Sequence, residues 1–341
     1  MSLKAERKNS GARAGRLLIA LVIGITSILV VIFIAGSVEV LKYIFRARLK
    51  YVFSLFVVSF GIILVDSLRT YVLSLSMGKK IPLLKALENS IFGFYVSAIT
   101  PFSAGGQPFQ IYHLTRIGLS VEEASAIVSV KFITSFTVSI VFGIVALLLY
   151  SDTMRSIPGV GEIMLFGVSL TIVMYVFFIS LALGGRFARN VIASKPIRYT
   201  MAFLLRKDKE KLVEMIEEKV ESYTRVIRGF FKSHPVAFIA SVVLTVSMIV
   251  LILSTPYLAM RSVSEIDIPY FKVIGLQVAM NLVVYFLPTP GASGGVEGMF
   301  YIVFSRFADK SVIASALIIW RFFTYYLTII VGNLFGARYL R

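Results

Sequence analysis

The residues with chemistry to offer are ionisable side chains set in apolar surroundings: Asp66, Arg69, Lys131, Glu297 and Arg321. Lys131 lies about ten residues into the apolar stretch 120–150 and Arg321 about ten into 311–336, so at helical rise each is about 15 Å from the end of its segment. A cation that deep in hydrocarbon costs at least about 2.5–3.5 kcal/mol and needs a partner or a wet cavity. Two readings stand. In one, the two cations attract a phosphate or another anionic group. In the other, they pair with Glu297, Asp66, Glu88 or helix-terminal carbonyls and hold a bundle together. Glu297 could counter a nearby cation, take a proton or bind a cationic amine; as a helix N-terminal acid it would simply be favoured by the macrodipole. Asp66 and Arg69, three residues apart on one helical face, read either as an intrahelical ion pair or as part of the same site.

The elements that must position these side chains announce themselves by repetition. Thr100-Pro101-Phe102-Ser103-Ala104-Gly105-Gly106 and Thr289-Pro290-Gly291-Ala292-Ser293-Gly294-Gly295 are two versions of one segment. Downstream, with one residue inserted, Ala124-Ser125-Ala126 answers to Ala314-Ser315-Ala316 and Lys131-Phe132 to Arg321-Phe322. The pattern is that of an internal duplication. Pro ends a helix and Gly permits tight turns and close backbone approach, so Gly105, Gly106, Gly294 and Gly295 mark breaks whose amides could also meet an anion. Glu297 follows the second Gly-Gly pair by two residues; Gln107, uncharged, is its approximate counterpart after the first.

Composition fixes the class. The 341 residues are 57% hydrophobic and 16% charged, too apolar for a soluble globule. Apolar runs of about 20 residues match the helix length needed to cross about 30 Å of hydrocarbon. The expectation is an all-α integral membrane protein. The net charge of +17 comes from basic residues clustered between the apolar runs, which positive-inside topology explains better than nucleic acid does. With no cysteine and two histidines, thiolate chemistry is excluded and a multi-histidine metal site is not expected.

Along the chain, residues 1–16 form a basic tail, and full spans are expected at about 17–38, 51–76, 120–150, 163–183, 235–260 and 311–336. Between them lie two broken helical hairpins, 84–117 and 268–307. Each returning arm is about a dozen residues, or about 18 Å, so the hairpins are read as re-entrant. Exposed Pro/Gly backbone cannot face lipid, so both turns must be wrapped by protein or line a cavity. Residues 184–234 read as a cytoplasmic amphipathic linker. The domain plan is a first membrane half at 17–183 and the rest of a second half at 235–341. Basic tail and linker place both termini in the cytoplasm, although Lys42, Arg46, Arg48 and Lys50 then fall outside against the rule. Three full spans separate equivalent points of the repeat, 17–150 and 163–336, so the copies are inverted and their tips should meet near the midplane.

The Pro288-Thr289-Pro290-Gly291-Ala292-Ser293-Gly294-Gly295-Val296-Glu297 segment resembles the Pro-x-Pro-Gly-Gly-x-Gly-x-x-Glu signature of the lysylphosphatidylglycerol synthase transmembrane region family, also called flippase-like or UPF0104. Pro101, Gly105, Gly106 and Pro108 resemble its first motif, and Arg69 sits where that family often has an arginine late in its second helix. The resemblance implies a membrane domain that, in the multiple peptide resistance factor, works beside an aminoacyl-transferase domain and moves the modified lipid across the bilayer. Without that domain, the expectation is a flippase or transporter of a polar, phosphate-bearing lipid or lipid-linked precursor in the cell membrane. The alternative is an intramembrane lipid-modifying transferase, or the membrane half of an aminoacyl-transferase system. No cofactor or metal is expected. Substrate-binding candidates are Lys131, Arg321, Glu297, Gln107, Gly105, Gly106, Gly294, Gly295, Asp66 and Arg69. The expected partner is a membrane phospholipid or lipid-linked anionic substrate, and a soluble synthase docking on the basic helix at 206–232 is also open.

Overall fold

Uninterrupted runs of Leu, Ile, Val and Phe, without period-two alternation, become helices wherever the computed structural model describes the chain: residues 37–156, 160–182, 224–225, 227–265, 267–284 and 287–339, with isolated positions 22, 26 and 29. No strand occurs among the described residues. In order, the helices are α1 (Ser37–Phe45), α2 (Leu49–Ser76), α3 (Leu83–Ala98), α4 (Gly106–Arg116), α5 (Val121–Arg155), α6 (Val160–Ala182), α7 (Pro235–Val263), α8 (Tyr270–Val284), α9 (Gly295–Phe304), α10 (Lys310–Arg321) and α11 (Leu327–Tyr339). A π-helical turn at Phe322–Tyr326 joins the last two. The basic tail, most of the first expected span and most of the linker lie outside the described residues.

Four helical runs among the described residues are long and apolar enough to cross a membrane: Leu49–Ser76, Val121–Thr153, Pro235–Val263 and Lys310–Phe335. The 28 residues of α2 extend about 42 Å, enough to cross with tilt. Their outer surfaces carry exposed Phe53, Phe60, Leu148 and Val236, while Asp66, Arg69, Thr70, Lys131, Thr134, Glu297 and Arg321 are buried. This inside-out distribution is what hydrocarbon solvent selects.

Helix starts follow local rules. Ser120 and Glu123 form a reciprocal cap on α5, with the Ser120 N–H donating to Glu123 Oε2 at 2.8 Å and the Glu123 N–H to Ser120 Oγ at 3.1 Å. Pro235 opens α7 at a position where a missing N–H costs nothing.

The duplicated motifs fold alike. Thr100 (φ −116°, ψ 144°) and Thr289 (φ −102°, ψ 153°) leave the descending helix in extended conformation, and each is followed by a proline that starts a short 3₁₀ turn. Two residues after each threonine the chain turns left-handed, at Phe102 (φ 54°, ψ 14°) and at Gly291 (φ 56°, ψ 24°). Gly106 allows the arms of the first hairpin to meet, since a Cβ there would lie 2.6 Å from the Gly93 carbonyl oxygen.

Packing respects the duplication. α2 lies along α7, α3 packs on α11 as α8 packs on α5, and the turn at Pro101–Ser103 touches the turn at Pro290–Ala292. Exchanging the set α2, α3, α5 for α7, α8, α10–α11 maps these contacts onto one another. Two features depart from the expected spans. The last run is interrupted by the π turn directly after Arg321, and α1, tied to α10 by Ser311 Oγ to Glu39 Oε2 (3.1 Å) and Ser315 Oγ to the Val40 carbonyl (3.1 Å), was not foreseen as a separate helix.

Candidate functional site

The first half gathers three ionisable groups in one buried node. Asp66 and Arg69 occupy one face of α2, and Lys131 reaches them from α5. Lys131 Nζ donates to Asp66 Oδ2 and to Thr70 Oγ1, both at 2.8 Å. Arg69 Nη1 meets Asp66 Oδ1 at 3.3 Å, and Ser90 Oγ of α3 donates to Asp66 Oδ2 at 2.7 Å. Arg69 Nη2 is held by the Lys131 carbonyl (2.6 Å), Thr134 Oγ1 (2.9 Å) and Ser135 Oγ (3.1 Å). Two cations face one carboxylate, leaving one surplus positive charge. Arg69 Nε is buried with no hydrogen-bond partner among the described residues.

This node forms one wall of a cavity of about 560 Å³. Its other walls are the first hairpin and the facing part of α5, including Ser97, Phe102, Gln107, Gln110, Phe132 and Ser135, with Met174 of α6 and Met248 of α7. The hairpin tip opens into it: Phe102, Ser103, Ala104 and Gln107 are exposed. Such a chamber, mostly apolar with a few convergent polar groups, has the general form of a small-molecule site.

The second half builds a different node from equivalent parts. Arg321 Nε and Nη2 both reach Glu297 Oε1, the former at 2.7 Å and the latter at 2.6 Å. Arg321 Nη2 also donates to Ser293 Oγ (3.1 Å) and the Gly291 carbonyl (3.3 Å), and the guanidinium lies 4.5 Å from the centre of the Tyr325 ring. Glu297 Oε2 accepts from the Gly294 N–H at 2.7 Å, capping α9. A Cβ on Gly291 would collide with the Tyr325 ring, so that turn sits directly on the π segment. Pro290, Ala292 and Ser293 are buried where their counterparts in the first turn are exposed.

The ten sequence candidates therefore divide. Asp66, Arg69, Lys131, Gly106 and Gln107 line the cavity, and Gly105 lies in the adjoining turn, its N–H donating to Thr100 Oγ1 at 3.1 Å. Glu297, Arg321, Gly294 and Gly295 do not line it: Glu297 and Arg321 form a buried ion pair that exposed Gly294 caps and Gly295 adjoins, so Arg321 takes the pairing reading, while Lys131 in the first half combines pairing with open space. The two cations thus do not converge on one chamber.

A family model, the lysylphosphatidylglycerol synthase TM region, matches residues 17–332. The chain belongs to that family. A UPF0104 membrane protein of Archaeoglobus fulgidus is 23% identical to it over 273 residues, covering 78% of this chain and 79% of the relative.

In this member of the lysylphosphatidylglycerol synthase TM family, sequence reasoning passed over part of the chamber wall. Gln110 sits one turn beyond Gln107 on α4, a spacing that signals a shared polar face. Ser97, Ser135 and the rings of Phe102, Phe132 and Phe136 carry no such signal. His113 is placed elsewhere, buried at the base of the first hairpin with Nε2 3.8 Å from Glu88 Oε2 and Nδ1 3.3 Å from Asn89 Nδ2.

Proposed function

We propose that the chamber of the first half receives the phosphate-bearing headgroup of a membrane lipid, and that the protein moves this lipid between leaflets as a flippase-like transporter of the cell membrane. The observation that carries the reading is the surplus cation of the Asp66–Arg69–Lys131 node in the wall of a cavity of about 560 Å³. In hydrocarbon an unmatched positive charge seeks an anion, and a lipid phosphate is the anion a bilayer supplies. Arg69 Nε and the third Lys131 N–H are donors such an oxygen would use, with Gln107 and Gln110 meeting polar groups around it.

The membrane arrangement follows the same logic. The hairpins α3–α4 and α8–α9 are re-entrant, dipping from opposite sides with their tips in contact, because three crossings, α5, α6 and α7, separate the first hairpin from the second and so reverse the second copy. Both ends of the chain then lie in the cytoplasm. The first tip is largely exposed and the second largely buried, the asymmetry expected of one end state of an alternating-access cycle.

The test is reconstitution into liposomes with fluorescent phosphatidylglycerol and measurement of its redistribution between leaflets. Lys131→Ala should abolish protein-dependent movement while the purified variant keeps its helical content. Undiminished movement by that variant would remove the chamber as the headgroup site.

A further inference from the structure

A second cavity, of about 480 Å³, lies between the halves and is walled by α2, α3, α7, α8, α10 and α11 with the π segment. Phe94 of α3 lines both cavities, so one ring is the shared partition. Apart from a few hydroxyls and two amides, this second lining is aliphatic and aromatic. Its margin reaches the outer surface at Phe56 and Phe60 of α2, and Phe56 meets Phe323 edge-on with ring centroids 6.5 Å apart.

The polar groups inside it are not alike. Thr255 Oγ1 accepts from Trp320 Nε1 (2.8 Å) and donates to the Ile252 carbonyl (2.7 Å), and Thr324 Oγ1 donates to the Trp320 carbonyl (2.8 Å). Those groups are satisfied. Ser59 Oγ and Gln277 Oε1 are not: both are buried with no hydrogen-bond partner among the described residues, in residues only 8% and 1% exposed. The contrast is sharpest along α2 itself, where Ser54 and Ser67 donate to carbonyls four residues back at 2.8 and 2.6 Å. Gln277 Nε2 donates to Asn281 Oδ1 at 3.0 Å, so whichever way that amide pair is turned one end of Gln277 stays unmet. Unpaired polar atoms in an apolar chamber cost free energy unless a guest satisfies them. A chamber of this size exceeds the needs of a lone water, and its volume falls within the roughly 300–1,000 Å³ of small-molecule sites.

We infer that this cavity holds an acyl chain of the lipid whose headgroup enters the first chamber, with Ser59 Oγ donating to an ester oxygen at the head of the chain and Gln277 Nε2 donating to another once the Gln277–Asn281 pair is turned so that Asn281 Nδ2 donates to Gln277 Oε1. The inference rests on the headgroup reading above and extends it: the protein grips the chain as well as the phosphate, instead of leaving both chains in the bilayer. The apolar walls match the chain, the two unmet polar groups match the ester, and the shared Phe94 wall puts chain and headgroup side by side.

The chain carries a single tryptophan, and Trp320 lines this cavity, so the test needs no label. The protein is reconstituted with phosphatidylglycerol brominated along its acyl chains, and Trp320 quenching is read. Strong quenching is expected, and Ser59→Phe and Thr328→Phe, which fill the cavity from opposite walls, should each remove most of it. Gln277→Leu, which keeps the side chain's bulk and removes a buried amide, should fold and weaken it. Lys131→Ala should keep the quenching while losing lipid movement. No quenching in the unmodified protein, or equal quenching in the filled variants, would overturn the chain site. Filled variants that lose quenching yet move lipid normally would also overturn it, since the bound chain would not belong to the cargo. Cavity-dependent quenching without any lipid movement would instead retain the chain site and overturn the transport reading.

Discussion

Replacing the two buried cations one at a time separates a lock from a site. Arg321→Met removes both contacts to Glu297, the donors to Ser293 and Gly291 and the stacking on Tyr325, and it strands a carboxylate that is 1% exposed. Stranding one member of a buried ion pair costs about 3–5 kcal/mol. Glu297→Gln strands the guanidinium instead and should cost a similar amount. The double variant leaves no unmatched charge and should recover about 1–3 kcal/mol of the summed loss. Lys131→Met differs because Asp66 keeps Arg69 at 3.3 Å and Ser90 at 2.7 Å, so charge remains matched and the cost should be about 1–2 kcal/mol. Unfolding in mixed micelles gives the stabilities, and leaflet redistribution of fluorescent phosphatidylglycerol gives the activity. The expected pattern is a weakly folded Arg321→Met and a well-folded, inactive Lys131→Met. A Lys131 variant losing 3–5 kcal/mol beside an Arg321 variant losing under about 1 kcal/mol would reverse the roles and refute the reasoning.

The remaining structural claims are open to direct measurement. Because the chain has no cysteine, single cysteines can be placed cleanly: Arg116→Cys at the end of the first hairpin and Asp309→Cys after the second, both exposed, should react with a membrane-impermeant maleimide from opposite sides, and labelling from the same side would sink the inverted arrangement. Gly106→Ala should cost about 1–3 kcal/mol, because its Cβ would press to 2.6 Å from the Gly93 carbonyl oxygen, on backbone that cannot step aside; unchanged stability would mean the hairpin arms are not so close.

Helix positions were legible because long apolar runs can become little else in a membrane, and Thr-Pro followed by Gly-Gly marked both turns. The meeting of those turns was readable too, from the repetition and the three spans expected between its copies. What the sequence concealed was pairing. Lys131 and Arg321 occupy equivalent places, and nothing in their spacing says that one takes its acid from α2, 65 residues upstream, and the other from α9, 24 residues upstream. The π turn at Phe322–Tyr326 was equally silent, because it is tied to Tyr325 packing between Arg321 and Gly291, a tertiary contact with no local signature. The second cavity was hidden for the same reason: its unmet groups, Ser59 and Gln277, look like any polar residue on an apolar helix until the helices around them are assembled.

Where each acid stands decides which half keeps a chamber. In the second half the acid is on the returning arm, so Arg321 is drawn onto that arm and the pair fills the space beside the turn. In the first half the acid is on α2, Lys131 is drawn towards α2, and the returning arm presents uncharged Gln107 across open space. Moving the acid should therefore move the wiring. Gln107→Glu alone places a second carboxylate on the chamber wall and cancels the surplus positive charge, so movement of anionic lipid should fall steeply while stability changes little. Adding Asp66→Asn leaves that arm carboxylate as the node's remaining acid, as in the second half, and should hold the chamber shut even to a zwitterionic lipid. Anionic lipid moving as fast through Gln107→Glu as through the unmodified protein would show that net charge in the chamber does not govern its cargo.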